Sequence, residues 1–174
     1  MSNWNKIFKP IVVLCAICIV ITGALAATNS VTAPIIEEAT IAAENAARIE
    51  LLPEADGFTS VPVEVANVSD VSVSNNNVGV VVTSSGKGYG GAITVMTAFT
   101  TEGTIKQIKI TAQTETQGLG SKIVSEPSFQ ESFVGLPAAP FTVDDIDAIS
   151  GATISSKAVT AAVNSAVEAF NAIP

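Results

Sequence analysis

The chain opens on a nearly unbroken apolar run, Ile11 to Ala27, and then breaks into shorter patterns of two kinds. Behind Pro34, the segment from Ile35 to Leu52 is rich in helix formers, carries apolar Ile41, Ile49 and Leu52, and is stopped by Pro53, which predicts a helix. Val61 to Val73 and Val78 to Thr83 are dense in Val alternating with polar residues, and the Asn75-Asn76-Asn77 run between them predicts a turn joining two strands. A Gly-rich loop, Ser84 to Gly91, precedes a strand from Ala92 to Phe99. Thr101-Glu102-Gly103-Thr104 then makes a hairpin into a strand from Ile105 to Ala112. Phe129, Phe133, Val134 and Leu136 supply apolar bulk ahead of Pro137 and Pro140, with a short strand or turn expected from Phe141 to Asp147. From Ile154 to Phe170, Val159, Val163, Val167 and Phe170 recur at helical spacing, giving one apolar stripe that packs on the sheet. These elements make an α+β fold: an antiparallel sheet with packed helices, tethered by a single N-terminal helix.

Charge gives the first segment a direction. Lys6 and Lys9 precede the apolar run and no Asp or Glu occurs before Glu37, so all sixteen acidic residues lie beyond it. Positive charge stays cytoplasmic, which places everything after about Thr28 outside the cytoplasm. With Ile7 and Phe8 the run reaches bilayer thickness, and Trp4 stands as an interfacial anchor. A cleaved signal peptide ending at Ala24-Leu25-Ala26 is the other reading of the segment. The anchor reading divides the chain into a transmembrane segment 1–28, a juxtamembrane helix 29–53 and an extracytoplasmic domain 54–174.

Composition then removes whole classes of function. The 174 residues include no His, which excludes Ser-His-Asp hydrolysis, His-ligated zinc and imidazole acid/base catalysis together. Six basic against sixteen acidic groups follow Lys9, and aromatics make up 5% of residues, so no basic surface is offered to nucleic acid. Cys15 and Cys18, the two cysteines, sit inside the apolar run, and no further thiol or imidazole completes a metal site. Binding, scaffolding or chemistry carried by a cofactor remain.

Three motifs carry the candidate chemistry. Asp147 is followed by Ser150-Gly151-Ala152-Thr153-Ile154-Ser155-Ser156 at the start of the last helix, where unpaired N–H groups and the positive end of the helix dipole hold an anion, with small residues allowing close approach. Read alone, the same residues are an ordinary helix cap. The stretch Asp147 to Ser156 resembles the flavinylation motif of FMN-binding domains, above all those of the G subunits of Rnf-type ion-translocating electron transport complexes, with the C subunit of the sodium-translocating NADH:quinone oxidoreductase as a cousin. Lys87-Gly88-Tyr89-Gly90-Gly91 is similar to an element that lies near the flavin in that family; it lacks the Lys-Ser/Thr ending of a P-loop and precedes a strand. Glu115-Thr116-Gln117-Gly118-Leu119-Gly120 resembles the family's second signature, although alone its glycines merely serve a turn.

The resemblance implies FMN joined by a phosphoester to Thr153, with Ser150, Gly151, Ala152, Ser155 and Ser156 around it. It implies Asp147 as the residue read by a flavin transferase, which brings its own magnesium, so Asp144, Asp145 and Asp147 are not assigned a metal. Lys122 and Lys157 are within reach of a phosphate. The function implied is a one-electron relay without an acid/base site of its own, in a membrane complex moving electrons between ferredoxin and NAD and coupled to ion transport. The quinone reductase subunit or a free-standing flavinylated carrier is the neighbouring alternative. An exported, non-redox binding or scaffold module is the alternative of a different class.

Overall fold

The structure is a computed structural model describing residues 8–173, so Trp4, Lys6 and Ile7 of the expected anchor lie outside the described residues. Helix α1 spans Lys9–Leu51 and contains Pro34, so the apolar run and the segment behind it form one element. It is long and apolar enough to cross a membrane. Ile11, Leu14, Ile19, Val20 and Leu25 are all exposed, which suits a helix apolar on every side to lipid. Farther on, the hydroxyls of Thr28 and Thr32 donate to the carbonyls of Ala24 and Thr28, each at 3.0 Å. These two hydroxyls are thereby satisfied within the helix itself.

Compact units divide between Ala43 and Glu44, and the last turns of α1 belong to the second. That unit is built on a five-stranded antiparallel meander in sequence order: β1 (Phe58–Ser60), β2 (Val68–Ser74), β3 (Gly79–Lys87), β4 (Ala92–Thr100) and β5 (Ile105–Ala112). The expected strand from Val61 to Val73 is therefore interrupted. Val63 and Val65 pack against the core, but Pro62 has no N–H to give a ladder, and hydrogen-bonded pairing with β3 begins only at Val68. Short helices α2 (Lys122–Ser125) and α3 (Pro127–Glu131) follow, then a 3-10 turn at Val143–Asp145 and the long α4, Thr153–Asn171. Phe129 and Phe133 are buried edge-to-face, 5.4 Å between ring centroids, and belong to the core.

Alternation along the strands sends side chains to two cores. On one face Val82, Ile93, Val95, Phe99 and Ile108 pack with Val159, Val163 and Val167 of α4. The helix comes very close to β3 because small residues meet there: Ser84 donates to the Ala162 carbonyl at 2.8 Å, and a Cβ on Gly86 would lie 1.9 Å from the Ala158 carbonyl oxygen. On the other face Val81, Met96 and Ala98 pack with Ala47, Leu51 and Leu52 from the end of α1. Ion pairs pin that end: Arg48 to Asp70 at 3.2 Å, Glu50 to Lys109, and Glu54 to Lys106. The Lys106 ammonium, hydrogen-bonded to Glu54, holds that carboxyl below its ordinary pKa.

On β4 one hydroxyl is out of place. Thr97 is fully buried and its Oγ1 has no hydrogen-bond partner among the described residues. Thr97→Val removes the unpaired group at nearly constant volume. It is expected to stabilise the domain by about 1 kcal/mol, seen as a rise of a few degrees in thermal midpoint; an unchanged or lower midpoint would mean that the hydroxyl is satisfied in solution.

Candidate functional site

The three motifs converge at one end of the sheet. The hairpin between β3 and β4 closes through the Gly88 N–H to the Gly91 carbonyl at 2.8 Å, and leaves Tyr89 at its tip, 76% exposed. Past β5 the chain folds the Glu115–Gly120 segment beneath that tip. Gly118, at φ +77°, takes the left-handed conformation the turn requires. The Leu119 and Ser121 N–H groups both return to the Thr116 carbonyl, at 3.2 and 3.3 Å. Residues 149–152 make a second turn, with Gly151 at φ +81° and the Ala152 N–H on the Ile149 carbonyl, and deliver the chain into α4.

A cavity of about 450 Å³ lies among these pieces, lined by Tyr89 from the first, Glu115, Thr116, Leu119 and Gly120 from the second, and Gly151 to Ser155 from the third. Its size is that of a cofactor site. The start of α4 faces it with no side-chain cap among the described residues: the N-cap residue is Ala152, which has no side-chain oxygen to offer. The first-turn N–H groups are thus left for an anion rather than spent on Asp147 or Ser150. An ordinary Ser, Thr or Asp cap is not how this helix begins.

Hydroxyls around the helix start have distinct situations. Thr153, its first residue, is exposed and its side chain makes no hydrogen bond among the described residues. Ser155 is buried and donates to Glu115 Oε2 at 2.5 Å. Ser156 is fully buried, and its Oγ accepts the Ile149 N–H at 3.2 Å, which shapes the turn ahead of the helix. Glu115 also accepts the Gly90 N–H at 2.8 Å through Oε1, so one carboxylate joins all three motifs.

Other sequence candidates stand off the cavity. Gly90 and Gly91 serve close packing instead: a Cβ on either would come 2.3 Å from Thr114. Lys122 is turned toward Glu126, with Nζ 3.9 Å from its Oε1, and Lys157 is exposed on α4; neither lines the cavity. Ser150 and Asp147 are exposed and also lie off the wall. Asp145 is used in its own turn, where the Thr142 N–H and hydroxyl reach it at 2.8 and 2.9 Å and hold its carboxyl below the ordinary value. Ile154, 54% exposed on the cavity wall, belongs to the site although no motif reading gives it a role. The signal for it is an apolar residue off the Val159–Val163–Val167 stripe in the first turn of the helix.

Comparison with known proteins points to the same part of the chain. The family described as "FMN-binding domain" matches residues 88–168, which hold all three motifs but for Lys87. The chain is similar to the G subunit of the Na(+)-translocating ferredoxin:NAD(+) oxidoreductase complex of Acetobacterium woodii, 33% identical over 97% of this chain and 93% of that one. It is likewise 33% identical to the G subunit of the proton-translocating ferredoxin:NAD(+) oxidoreductase complex of Clostridium ljungdahlii, over 96% and 93% of the two chains. The G subunit of the ion-translocating oxidoreductase complex of Methanosarcina acetivorans is 34% identical over 99% and 98%.

Proposed function

Since this chain belongs to the family of G subunits of ion-translocating oxidoreductase complexes and carries an FMN-binding domain, we propose that it is the electron-carrying subunit of a membrane-bound ferredoxin:NAD oxidoreductase, with FMN attached through Thr153. The observation that carries the covalent part is the uncapped start of α4 on the cavity, with the free Thr153 hydroxyl at its first position. In attachment, the Thr153 Oγ1–P bond forms, the hydroxyl proton is lost, and the bond from phosphorus to the leaving group of a flavin nucleotide donor breaks under a flavin transferase. Asp147, exposed ahead of the turn, is open to that enzyme.

Bound flavin supplies reversible electron transfer, and the chain's residues hold and shelter it. The N–H groups of the first turn of α4 would hold the phosphodiester, which would retain one negative charge; the dipole would contribute typically about 0.3–1 kcal/mol, and more where the site is partly buried. Tyr89, Leu119 and Ile154 give the cavity the apolar surface that a ring system needs. No proton transfer is required of the protein, in keeping with a sequence that has no His. Similarity along nearly the whole chain to G subunits of ferredoxin:NAD complexes supports that assembly over the quinone reductase. The Ala152 cap argues against a scaffold whose motif is only a helix start. Within the assembly α1 crosses the membrane with Lys6 and Lys9 on the cytoplasmic side, and the flavin domain lies outside.

The test is to express the full chain with a flavin transferase, denature it and remove small molecules. Flavin absorbance is expected to remain with the polypeptide. Absorbance that washes away would refute covalent attachment, and a chain that never acquires flavin would refute the redox function itself.

A further inference from the structure

Glu115 is the one carboxylate among the residues lining the cavity, and it is 7% exposed. Its partners come from far along the chain, Gly90 at 25 residues and Ser155 at 40. Space for it exists only because of two glycines: a Cβ on Gly88 would lie 2.4 Å from Oε1, and one on Gly120 would lie 2.5 Å from Oε2. Both oxygens act as acceptors, Oε1 from the Gly90 N–H and Oε2 from the Ser155 hydroxyl. No Lys or Arg is paired with it among the described residues.

From this we infer that Glu115 is a positioning residue with an electrostatic consequence: it ties the Gly90 hairpin, which carries Tyr89, to Ser155 on the cavity wall before any ligand arrives, and it leaves one uncompensated negative charge beside the cavity that lowers the reduction potential of the flavin. The second half rests on the flavin function proposed above. Reduction adds an electron, and a fixed negative charge in a partly buried site opposes it. Thr153 also gains from the arrangement, because the hydroxyl two residues on is committed to Glu115 and does not compete for modification.

Two variants of the full chain separate the roles. Glu115→Gln keeps the shape and an acceptor for the Gly90 N–H while removing the charge; Glu115→Ala removes both. In flavin-free protein, amide exchange at Gly90 is expected to be about tenfold faster in Glu115→Ala, for loss of a charge-assisted hydrogen bond, and close to wild type in Glu115→Gln. In the loaded protein, redox titration is expected to give Glu115→Gln a higher midpoint than wild type. Unchanged Gly90 exchange in Glu115→Ala overturns the positioning role, and an unchanged midpoint in loaded Glu115→Gln overturns the electrostatic one. Loss of loading in Glu115→Gln with wild-type exchange would make the carboxylate a direct flavin ligand, which also overturns the inference. Should the wild-type chain itself take up no flavin, the flavin function fails, and Gly90 exchange still decides whether Glu115 holds the hairpin in place.

Discussion

Thr153→Ala, co-expressed with a flavin transferase, is expected to carry no FMN, whereas wild type gains one FMN moiety in intact mass and Thr153→Ser keeps an adduct. The loss is complete rather than partial because the neighbouring hydroxyls have other work. Ser155 is committed to Glu115, and Ser156 receives the Ile149 N–H in a fully buried position. Stability is a clean control. Thr153 is an exposed first-turn residue with no cap bond, and Ala is the better helix former, so melting should move by a few tenths of a kcal/mol at most. An adduct surviving in Thr153→Ala, at Thr116 or Ser150 for instance, would shift the attachment point and remove the argument from the helix start.

A soluble version of the domain begun at Glu54 is expected not to fold, while one begun at Glu44 is expected to remain folded and monomeric. The first leaves out Ala47, Leu51 and Leu52, which close the second core over Val81, Met96 and Ala98. Losing buried Leu side chains costs about 2–5 kcal/mol each, and two of them rival the whole stability of an ordinary domain, roughly 5–15 kcal/mol. It also strands Asp70, which accepts from Arg48 as well as from Ser60 and Ser72 at 2.6 Å. Circular dichroism and gel filtration of the two versions decide this. A cooperative melt from the shorter one would show that the end of α1 is a passenger rather than part of the core.

Much of the fold was legible because its periodicities are local. The strands expected at 92–99 and 105–112 appear as β4 and β5, and the Val stripe expected from Ile154 to Phe170 is the buried side of α4. Failures came where alternation and pairing part company. Val63 and Val65 alternate with polar neighbours because that segment is half-buried, although it makes no ladder. Gly86, read as loop, is the strand residue that lets α4 sit against β3, a role invisible without the helix in place. Short α2 and α3 have too few turns for a stripe to register. At the site, each motif could be recognised separately, and Thr153 by resemblance; the bonds from Glu115 to Gly90 and Ser155 could not, since no spacing encodes a contact across 25 or 40 residues.

The meander has a consequence for the order of events in the life of the chain. Every strand pairs with its neighbour in sequence, so a chain synthesised from its N-terminus holds the complete sheet once Ala112 has emerged. Thr153 belongs to the last helix, whose Ala162 carbonyl meets Ser84 across 78 residues. A nascent chain can thus own a whole sheet and still lack the helix that begins at Thr153. Under the proposed function, flavin on Thr153 would mark a chain whose synthesis has passed the sheet and reached the last helix.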